Sequence, residues 1–341
     1  MTTLPPDAAE MMALARRLTA ASGRARPIGL TALAGGKNNR VFRVDLDAGP
    51  PVVLKSYFAD SRDPRDRRTA EWRFLTEAWS AGVRNVPQPL ATEPQSHAGL
   101  YSFVAGHKLA PGTVTGAHVD AALDFVATVN ARGREMASFA PASEACFSLA
   151  EHVATIEKRV ERLADLDPEA PLRDQAAAFL ASELRPVWAA VRARIATEGS
   201  QAGEEIADRE QCLSPSDFGF HNALVDGTGR VAFIDFEYAG RDDPAKLVSD
   251  FFCQPEIPVP VAHHGRFVAA LAERLSLGPG FLDRARLLLD AYRVKWTCII
   301  LNEFLAVGAA RRAFADSGER ERRCAAQLDK ARRCLAPVEV R

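Results

Sequence analysis

Nothing in this sequence has the length and apolarity of a membrane span. The longest apolar stretch near its end, Trp296 to Ala310, is broken by Asn302-Glu303 and is too short and too polar to cross a bilayer. Cys-x-x-Cys pairs are missing as well. The six cysteines, Cys146, Cys212, Cys253, Cys298, Cys324 and Cys334, are scattered along the chain. That argues against a disulfide framework or a zinc site, and reduced thiols in a cytoplasm are expected. A surplus of charge of one sign is also absent. Lys and Arg number 43 and Asp and Glu 44, for a net charge of −1, which argues against a nucleic-acid or membrane-surface partner. Met1 to Arg17 has no apolar core, so no signal peptide is expected. Internal repeats and low-complexity tracts are lacking. What is there is the composition of a soluble globular protein. Its 341 residues are 47% apolar and 26% charged, enough for one large domain or two smaller ones with a shared cleft.

The most informative stretch runs from Leu213 to Asp243. Two short apolar runs, Ala223-Leu224-Val225 and Arg230 to Ile234, flank the turn-rich Asp226-Gly227-Thr228-Gly229, which predicts a β-hairpin. A hairpin folds its ends together. Asn222, just before the first strand, and Asp235, closing the second, are therefore expected to converge, with Asp217 one short loop away. Asp217 can accept a hydroxyl proton, and Asn222 and Asp235 offer two oxygen ligands for Mg²⁺. Phosphoryl transfer from ATP needs that combination.

Asp217-x-x-x-x-Asn222, the hairpin and Ile234-Asp235-Phe236-Glu237 resemble the catalytic and metal-binding loops of the protein-kinase-like superfamily. They look most like the aminoglycoside phosphotransferase and choline kinase branch. Gly240-Arg241-Asp242-Asp243-Pro244 is similar to that branch's Gly-x-Asp-Pro, with one residue extra. The resemblance covers about residues 28 to 310. It implies an α+β, protein-kinase-like bilobal fold: a β-rich N-terminal nucleotide-binding lobe over 1–104 with a leading helix, and a mainly helical C-terminal lobe over 105–341. It also implies an ATP-dependent small-molecule kinase, a cytoplasmic location, and a hydroxyl-bearing acceptor such as a sugar, an amino alcohol or an aminoglycoside-like compound.

In the first lobe, Ala8 to Ala21 has helix spacing, with Met11, Leu14, Ala15 and Leu18 on one face. A polar turn, Leu33 to Arg40, then joins two strands. Its glycines let the backbone approach an anion, and it resembles the family's Gly-Gly-x-x-Asn-x-x-(Phe/Tyr) nucleotide loop. Gly35, Gly36 and Asn38 are the candidates there, although an ordinary hairpin turn is the simpler reading of the stretch by itself. Val52 to Tyr57 is a β run with Lys55 inside it. An ammonium is costly to bury in such a strand unless it meets negative charge. The α- and β-phosphates of ATP would supply that charge, with a helix glutamate holding the lysine. Asp63 to Ser80 is the predicted helix, offering Glu71 and Glu77, and the family's Arg-Glu-x-x-x-Leu pattern selects Glu71. Leu100 to Gly106 resembles the hinge of the kinase-like fold, which implies adenine recognition by the backbone of Ser102 and Val104.

In the second lobe, Val114–Arg132, Leu149–Ala164 and Leu172–Thr197 read as helices, the last with a kink expected at Pro186. Asp243-Pro244 should open a helix over Ala245–Phe252, with Asp242 or Asp243 as its cap. Phe267–Leu275 and Phe281–Phe314 are predicted helices, and Leu328–Arg341 a charged tail. Asn302 and Glu303 interrupt an apolar face where related kinases bind acceptors, so both are substrate-site candidates. A surface turn of a half-buried helix is the plainer alternative. Two departures from the family stand out. Pro215 occupies the place of the usual His two residues before the catalytic Asp, with His221 as a possible local substitute. Lys246-Leu247 stands where an aromatic and Asp are common. Pro215 keeps open a second class, a nucleotide-binding regulatory protein without phosphotransfer. A glycosidic hydrolase using Asp217 and Asp235 ranks last, since it leaves Lys55 and the glycine turn without a role.

Overall fold

A computed structural model describes residues 8–33, 39–58, 63, 65–131, 136–199, 204–306 and 317–338. Its contacts divide the chain into two compact units. The first gathers the described residues of 1–110, 120–143 and 213–241. The second gathers those of 111–119, 144–212 and 242–341. The division therefore does not follow chain order at 104/105. Residues 213–241 group with the N-terminal sheet.

The first unit is built on a five-stranded antiparallel sheet of order β1-β2-β3-β5-β4. Its strands are β1 (Pro27–Leu33), β2 (Asn39–Leu46), β3 (Val52–Tyr57), β4 (Pro89–Glu93) and β5 (Ala98–Ser102). Helix α1 (Ala8–Ala21) lays Met11, Leu14, Ala15 and Leu18 against Phe42, Val44, Leu46, Val52, Leu54, Ala98 and Leu100. That is the face read from the sequence. Helix α2 (Arg67–Ser80) starts four residues later than predicted. Asp66 caps it, accepting from the Thr69 N–H at 2.9 Å and the Thr69 hydroxyl at 2.6 Å, so the residues before it are left outside the helix. Helix α3 (Gly116–Asn130) carries buried Leu123, Phe125, Val126 and Val129. The remaining strands among the described residues are short: β6 (Cys212–Ser214), β7 (Ala223–Val225), β8 (Val231–Phe233) and β9 (Gly240–Asp242). β7 and β8 form the expected hairpin, in register from Ala223 opposite Phe233 to Val225 opposite Val231.

The second unit is helical. It holds α4 (Leu149–Arg162), α5 (Arg173–Phe179), α6 (Arg185–Glu198), α7 (Pro244–Cys253), α8 (His264–Leu275), α9 (Pro279–Ile300) and α10 (Ser317–Leu335). Between α5 and α6 the backbone widens into a π turn, Leu180–Leu184. Pro186 has no N–H to give and its ring crowds the carbonyl four residues back, so the helix loosens there instead of closing an ordinary turn. Every residue of α7 is buried, and Asp243 caps it, accepting from the Ala245 N–H at 2.9 Å.

Two predictions at the C-terminal end need correction. The helix read as Phe281–Phe314 ends at Ile300 and continues as a 3₁₀ turn, Leu301–Phe304. Residues 328–335 of the segment read as a charged tail belong to α10, whose Cys324, Leu328, Ala331 and Leu335 are buried at helix spacing among arginines. The departure at Lys246 also has a structural reason. Its ammonium is buried, 2.7 Å from Asp242 and 3.6 Å from Asp250, while Lys295 and the Trp296 indole N–H close on Asp250 at 2.9 Å each.

His152 is fully buried, with Nδ1 2.7 Å from the Tyr292 hydroxyl and Nε2 3.2 Å from Asp243, which Arg284 also binds at 2.9 Å. Burial alone would lower the imidazole pKa, but the hydrogen bond to Asp243 outweighs it and pushes the pKa up to about 9. The folded state thus holds this proton more tightly than the unfolded chain, where the value is about 6.5. The resulting stability is complete below about pH 6.5 and is lost as pH rises through about 9. Wild type should exceed His152→Gln in urea-unfolding free energy by an amount that falls by on the order of 3 kcal/mol between about pH 6 and about pH 10. A gap that stays constant over that range would remove His152 as the titrating group.

Candidate functional site

The site begins in β3. Alternation puts Lys55 and Tyr57 on one face of the strand, and α2 crosses that face with Glu71, 1% exposed. Glu71 and Glu77 are six residues apart, about 240° around a helix, so only one of them can meet the strand. The Lys55 ammonium lies 2.7 and 3.0 Å from the two Glu71 carboxylate oxygens and 2.9 Å from Asp235 Oδ1. Burial disfavours the charged lysine, but Glu71 and then Asp235 outweigh it and raise its pKa well above the usual lysine range. The Tyr57 hydroxyl, 2.7 Å from Glu71 Oε2, fixes the carboxylate from its other side, and the Tyr101 hydroxyl lies 2.8 Å from that of Tyr57.

Gly99, opposite Lys55 in register, makes room for this row. A Cβ there would sit 2.5 Å from the Tyr101 hydroxyl oxygen and 2.8 Å from its ring. Tyr101 is only 1% exposed and has nowhere to move. Gly99→Ala should therefore lower the thermal midpoint by several degrees, equivalent to about 1–3 kcal/mol. An unchanged midpoint would mean that the tyrosine row tolerates displacement.

The loop before the hairpin carries the other polar groups. Asn130 of α3 clamps Leu213, accepting from its N–H at 2.8 Å and donating to its carbonyl at 3.2 Å. Buried Ser214 accepts from the Ser216 N–H at 3.1 Å. Ser216 has φ of 67°, and the Phe218 N–H closes back on the Ser216 carbonyl at 2.9 Å. Asp217 is presented at the apex of this tight turn. A 3₁₀ turn, Phe220–Asn222, follows. The Ile234 N–H then donates to the Asn222 carbonyl at 2.9 Å, which pairs Asn222 across the hairpin with the residue before Asp235. Asp235 itself has φ of 70°, a conformation costing about 1–3 kcal/mol in a residue with a Cβ. The pairing with Lys55 and the burial of its neighbours hold it there.

Those neighbours are aromatic. Phe74 stacks on Phe236 at 4.5 Å and Phe125 on Phe233 at 4.7 Å, while Phe218 lies 5.6 Å from Phe125 and 5.0 Å from Phe233. Phenylalanine thus follows each of the two aspartates directly, and the rings anchor the backbone from which the carboxylates project. Gly106 (φ 157°) passes the hairpin so closely that a Cβ would stand 2.9 Å from the Val225 carbonyl oxygen. This lets His107 pair with Val225.

Asn222 Nδ2 lies 3.0 Å from the Asp217 backbone carbonyl. A carbonyl can only accept, so this edge of the amide is the NH₂, and Oδ1 is the edge available as a ligand. An amide oxygen, like the carboxylate oxygens of Asp235, is a donor of the kind suited to a hard divalent cation. No group of three or more His, Cys, Asp or Glu arranged to hold a metal occurs among the described residues.

The structure brings Lys55, Glu71 and Asp235 together, and it sets Asp217 against Asn222, whose backbone carbonyl pairs with the residue before Asp235. Gly35, Gly36 and Asn38 lie outside the described residues. Counted from Gly35, the Gly-Gly-x-x-Asn spacing ends on Asn39, so the candidate asparagine moves from 38 to 39. Asn39 opens β2 opposite Tyr57, and its Oδ1 is buried without a partner among the described residues. The Ser102 N–H is already donated to the Gln88 carbonyl at 2.9 Å, which leaves only its carbonyl for a hinge role, and Val104 is half-buried. Asn302 and Glu303 belong to the 3₁₀ turn of the second unit. Arg162 donates to Asn302, and Arg323 pairs with Glu303 at 3.4 Å. Tyr57 and the phenylalanine cluster were missed from the sequence. The cluster's only signal was a Phe after each site aspartate.

The profile of the phosphotransferase enzyme family matches residues 29–246. No curated protein sequence matches the chain. Among solved structures, a putative aminoglycoside phosphotransferase from Ralstonia eutropha JMP134 is similar with a TM-score of 0.61 at 13% identity, over 98% of this chain and 99% of that one. A choline kinase from Cryptosporidium parvum Iowa II gives 0.55 at 13% identity, over 97% of each chain. A spectinomycin phosphotransferase solved with ADP and spectinomycin gives 0.59 at 10% identity, over 96% and 93%. At these identities the likeness is one of fold.

Proposed function

The chain belongs to the phosphotransferase enzyme family, and from that premise we propose that it moves the γ-phosphate of ATP to a hydroxyl of a small molecule. The reading is carried by one observation: a buried lysine held between Glu71 and Asp235, with the Asn222 carbonyl paired to the residue before Asp235. An ion pair needed only for packing would not be extended to a second, partly exposed carboxylate (Asp235 is 35% exposed) held at positive φ. ADP bound to the spectinomycin enzyme lends support.

In this reading, residues 1–104 hold the nucleotide and residues 105–341 carry the transfer chemistry and the acceptor. Lys55 binds the α- and β-phosphates, and Glu71, steadied by Tyr57, keeps its ammonium aimed. The turn of Gly35, Gly36 and Asn39 covers the phosphates, and the Ser102 carbonyl and the Val104 N–H meet the adenine edge. Asn222 and Asp235 hold Mg²⁺, which when bound neutralises charge on the phosphates. Asp217 orients the acceptor hydroxyl and takes its proton as the oxygen bonds to the γ-phosphorus and the bond to the ADP oxygen breaks. Asn302 and Glu303 are acceptor candidates on the strength of the resemblance alone. Arginine already engages each, so the charge Glu303 offers a cationic acceptor is partly neutralised.

The test is calorimetry with ATP and Mg²⁺, followed by ADP release over aminoglycosides, amino alcohols and monosaccharides. Binding with acceptor-dependent release supports the reading. Failure to bind ATP ends it. Binding without release on any acceptor would favour the nucleotide-binding regulatory alternative, to which Pro215 points.

A further inference from the structure

We propose that His221 is a positioning residue for Asp217, an inference that rests on the proton-accepting role just assigned to that aspartate. The loop backbone is braced by Asn130, by Ser214 and by the Ser216 hydroxyl on the Ser143 carbonyl at 3.3 Å. None of these bonds touches the carboxylate, and position 215 is a proline with neither N–H nor polar side chain. His221 Nε2 lies 3.2 Å from Asp217 Oδ1, while Asn222 Nδ2 stands 3.4 Å from Oδ2. A carboxylate oxygen accepts, so Nε2 carries the proton in this contact.

The imidazole is delivered by a rigid support. Phe220, the first residue of its 3₁₀ turn, is fully buried, and the Lys108 ammonium holds the His221 carbonyl at 3.1 Å. Nδ1 of His221 is buried with no partner among the described residues. His152 makes an instructive contrast, for it uses both ring nitrogens within its packing. Buried polar atoms are ordinarily satisfied. A ring that gives up one nitrogen and spends the other on a site carboxylate is placed for that carboxylate. Asn222 is committed to the loop and, in the reading above, to the metal, while the His221 ring bonds the carboxylate directly and so helps to set the rotation of the Asp217 side chain.

Losing that hold should cost rate and not nucleotide affinity, because a misplacement of about 1 Å can cost about 10²-fold. His221→Phe is expected to lower kcat about 10–100-fold with KM for ATP within about twofold. His221→Gln, which retains an N–H donor, should recover much of the loss. A His221→Phe enzyme with wild-type kcat would overturn the proposal, as would a KM for ATP rising in step with the fall in kcat. A second measurement does not depend on turnover. In protein labelled with ¹⁵N-histidine, the His221 Nε2 resonance, identified by its absence from His221→Gln, should move in Asp217→Asn. A stationary resonance would overturn the contact. If the wild-type protein transfers phosphate to no acceptor, the functional reading above fails, and the resonance still decides whether His221 holds Asp217.

Discussion

Replacing Asp217 with alanine is expected to lower turnover on an identified acceptor by about 10²–10⁴-fold, the contribution of a well-placed general base, with ATP affinity within about twofold. The two effects separate because of where the contacts lie. The Asp217 carboxylate meets Asn222 and His221, whereas Lys55, the group assigned to the phosphates, is held by Glu71 and Asp235. Alanine also keeps the Asp217 backbone carbonyl that anchors the Asn222 amide at 3.0 Å, so the oxygen ligands need not move. At 39% side-chain exposure, Asp217 contributes little to packing, and the variant should fold normally. Steady-state ADP release and ATP calorimetry on the same preparation check the pair of expectations. Near-normal turnover would remove Asp217 from the chemistry. A large loss of ATP affinity would reassign it to nucleotide binding.

Lys55→Met is expected to fail in two ways that a second substitution can pull apart. Glu71 is almost wholly buried, and its counter-charge is Lys55 at 2.7 Å. Removing one partner of a buried pair leaves an uncompensated charge, at a cost of about 3–5 kcal/mol. The loss should appear directly in the urea-unfolding free energy, and ATP binding should fall with it. Replacing both partners, as Lys55→Met with Glu71→Leu, removes the stranded carboxylate and should restore much of the stability, since apolar replacement of a buried pair is often neutral or better. Turnover and ATP affinity should stay lost. If Lys55→Met alone is as stable as wild type, the pair is not an element of the fold's stability. Recovery of ATP binding in the double variant would mean that the lysine does not meet the phosphates.

The features legible in the sequence were those set by local geometry. A period of two around Lys55, a turn of Asp226-Gly227-Thr228-Gly229 between apolar runs, the one-sided face of α1 and the Asp243-Pro244 start of α7 each follow from backbone stereochemistry over a few residues. These alone placed the polar residues at hairpin ends and strand faces. The misreadings lie where local signals are weak or contradicted. Arginine-rich α10 hides four buried residues at helix spacing, and Asn302-Glu303 sits in a 3₁₀ turn that apolar periodicity reads straight through.

The amino-acid order by itself determined the pieces: which strand holds a lysine, which loop holds an aspartate five residues before an asparagine, and which hairpin ends in a second aspartate. Only the tertiary structure decided the partners. Lys55 meets Asp235 across 180 positions of sequence, and His152 meets Asp243 across 91. Phe74 of α2 and Phe125 of α3 come together around Phe236 and Phe233. The physical reason is range. Dihedral preferences and hydrogen bonds to near neighbours act within a turn or two, while the cost of burying a charge or a ring is settled by whatever the rest of the chain packs against it.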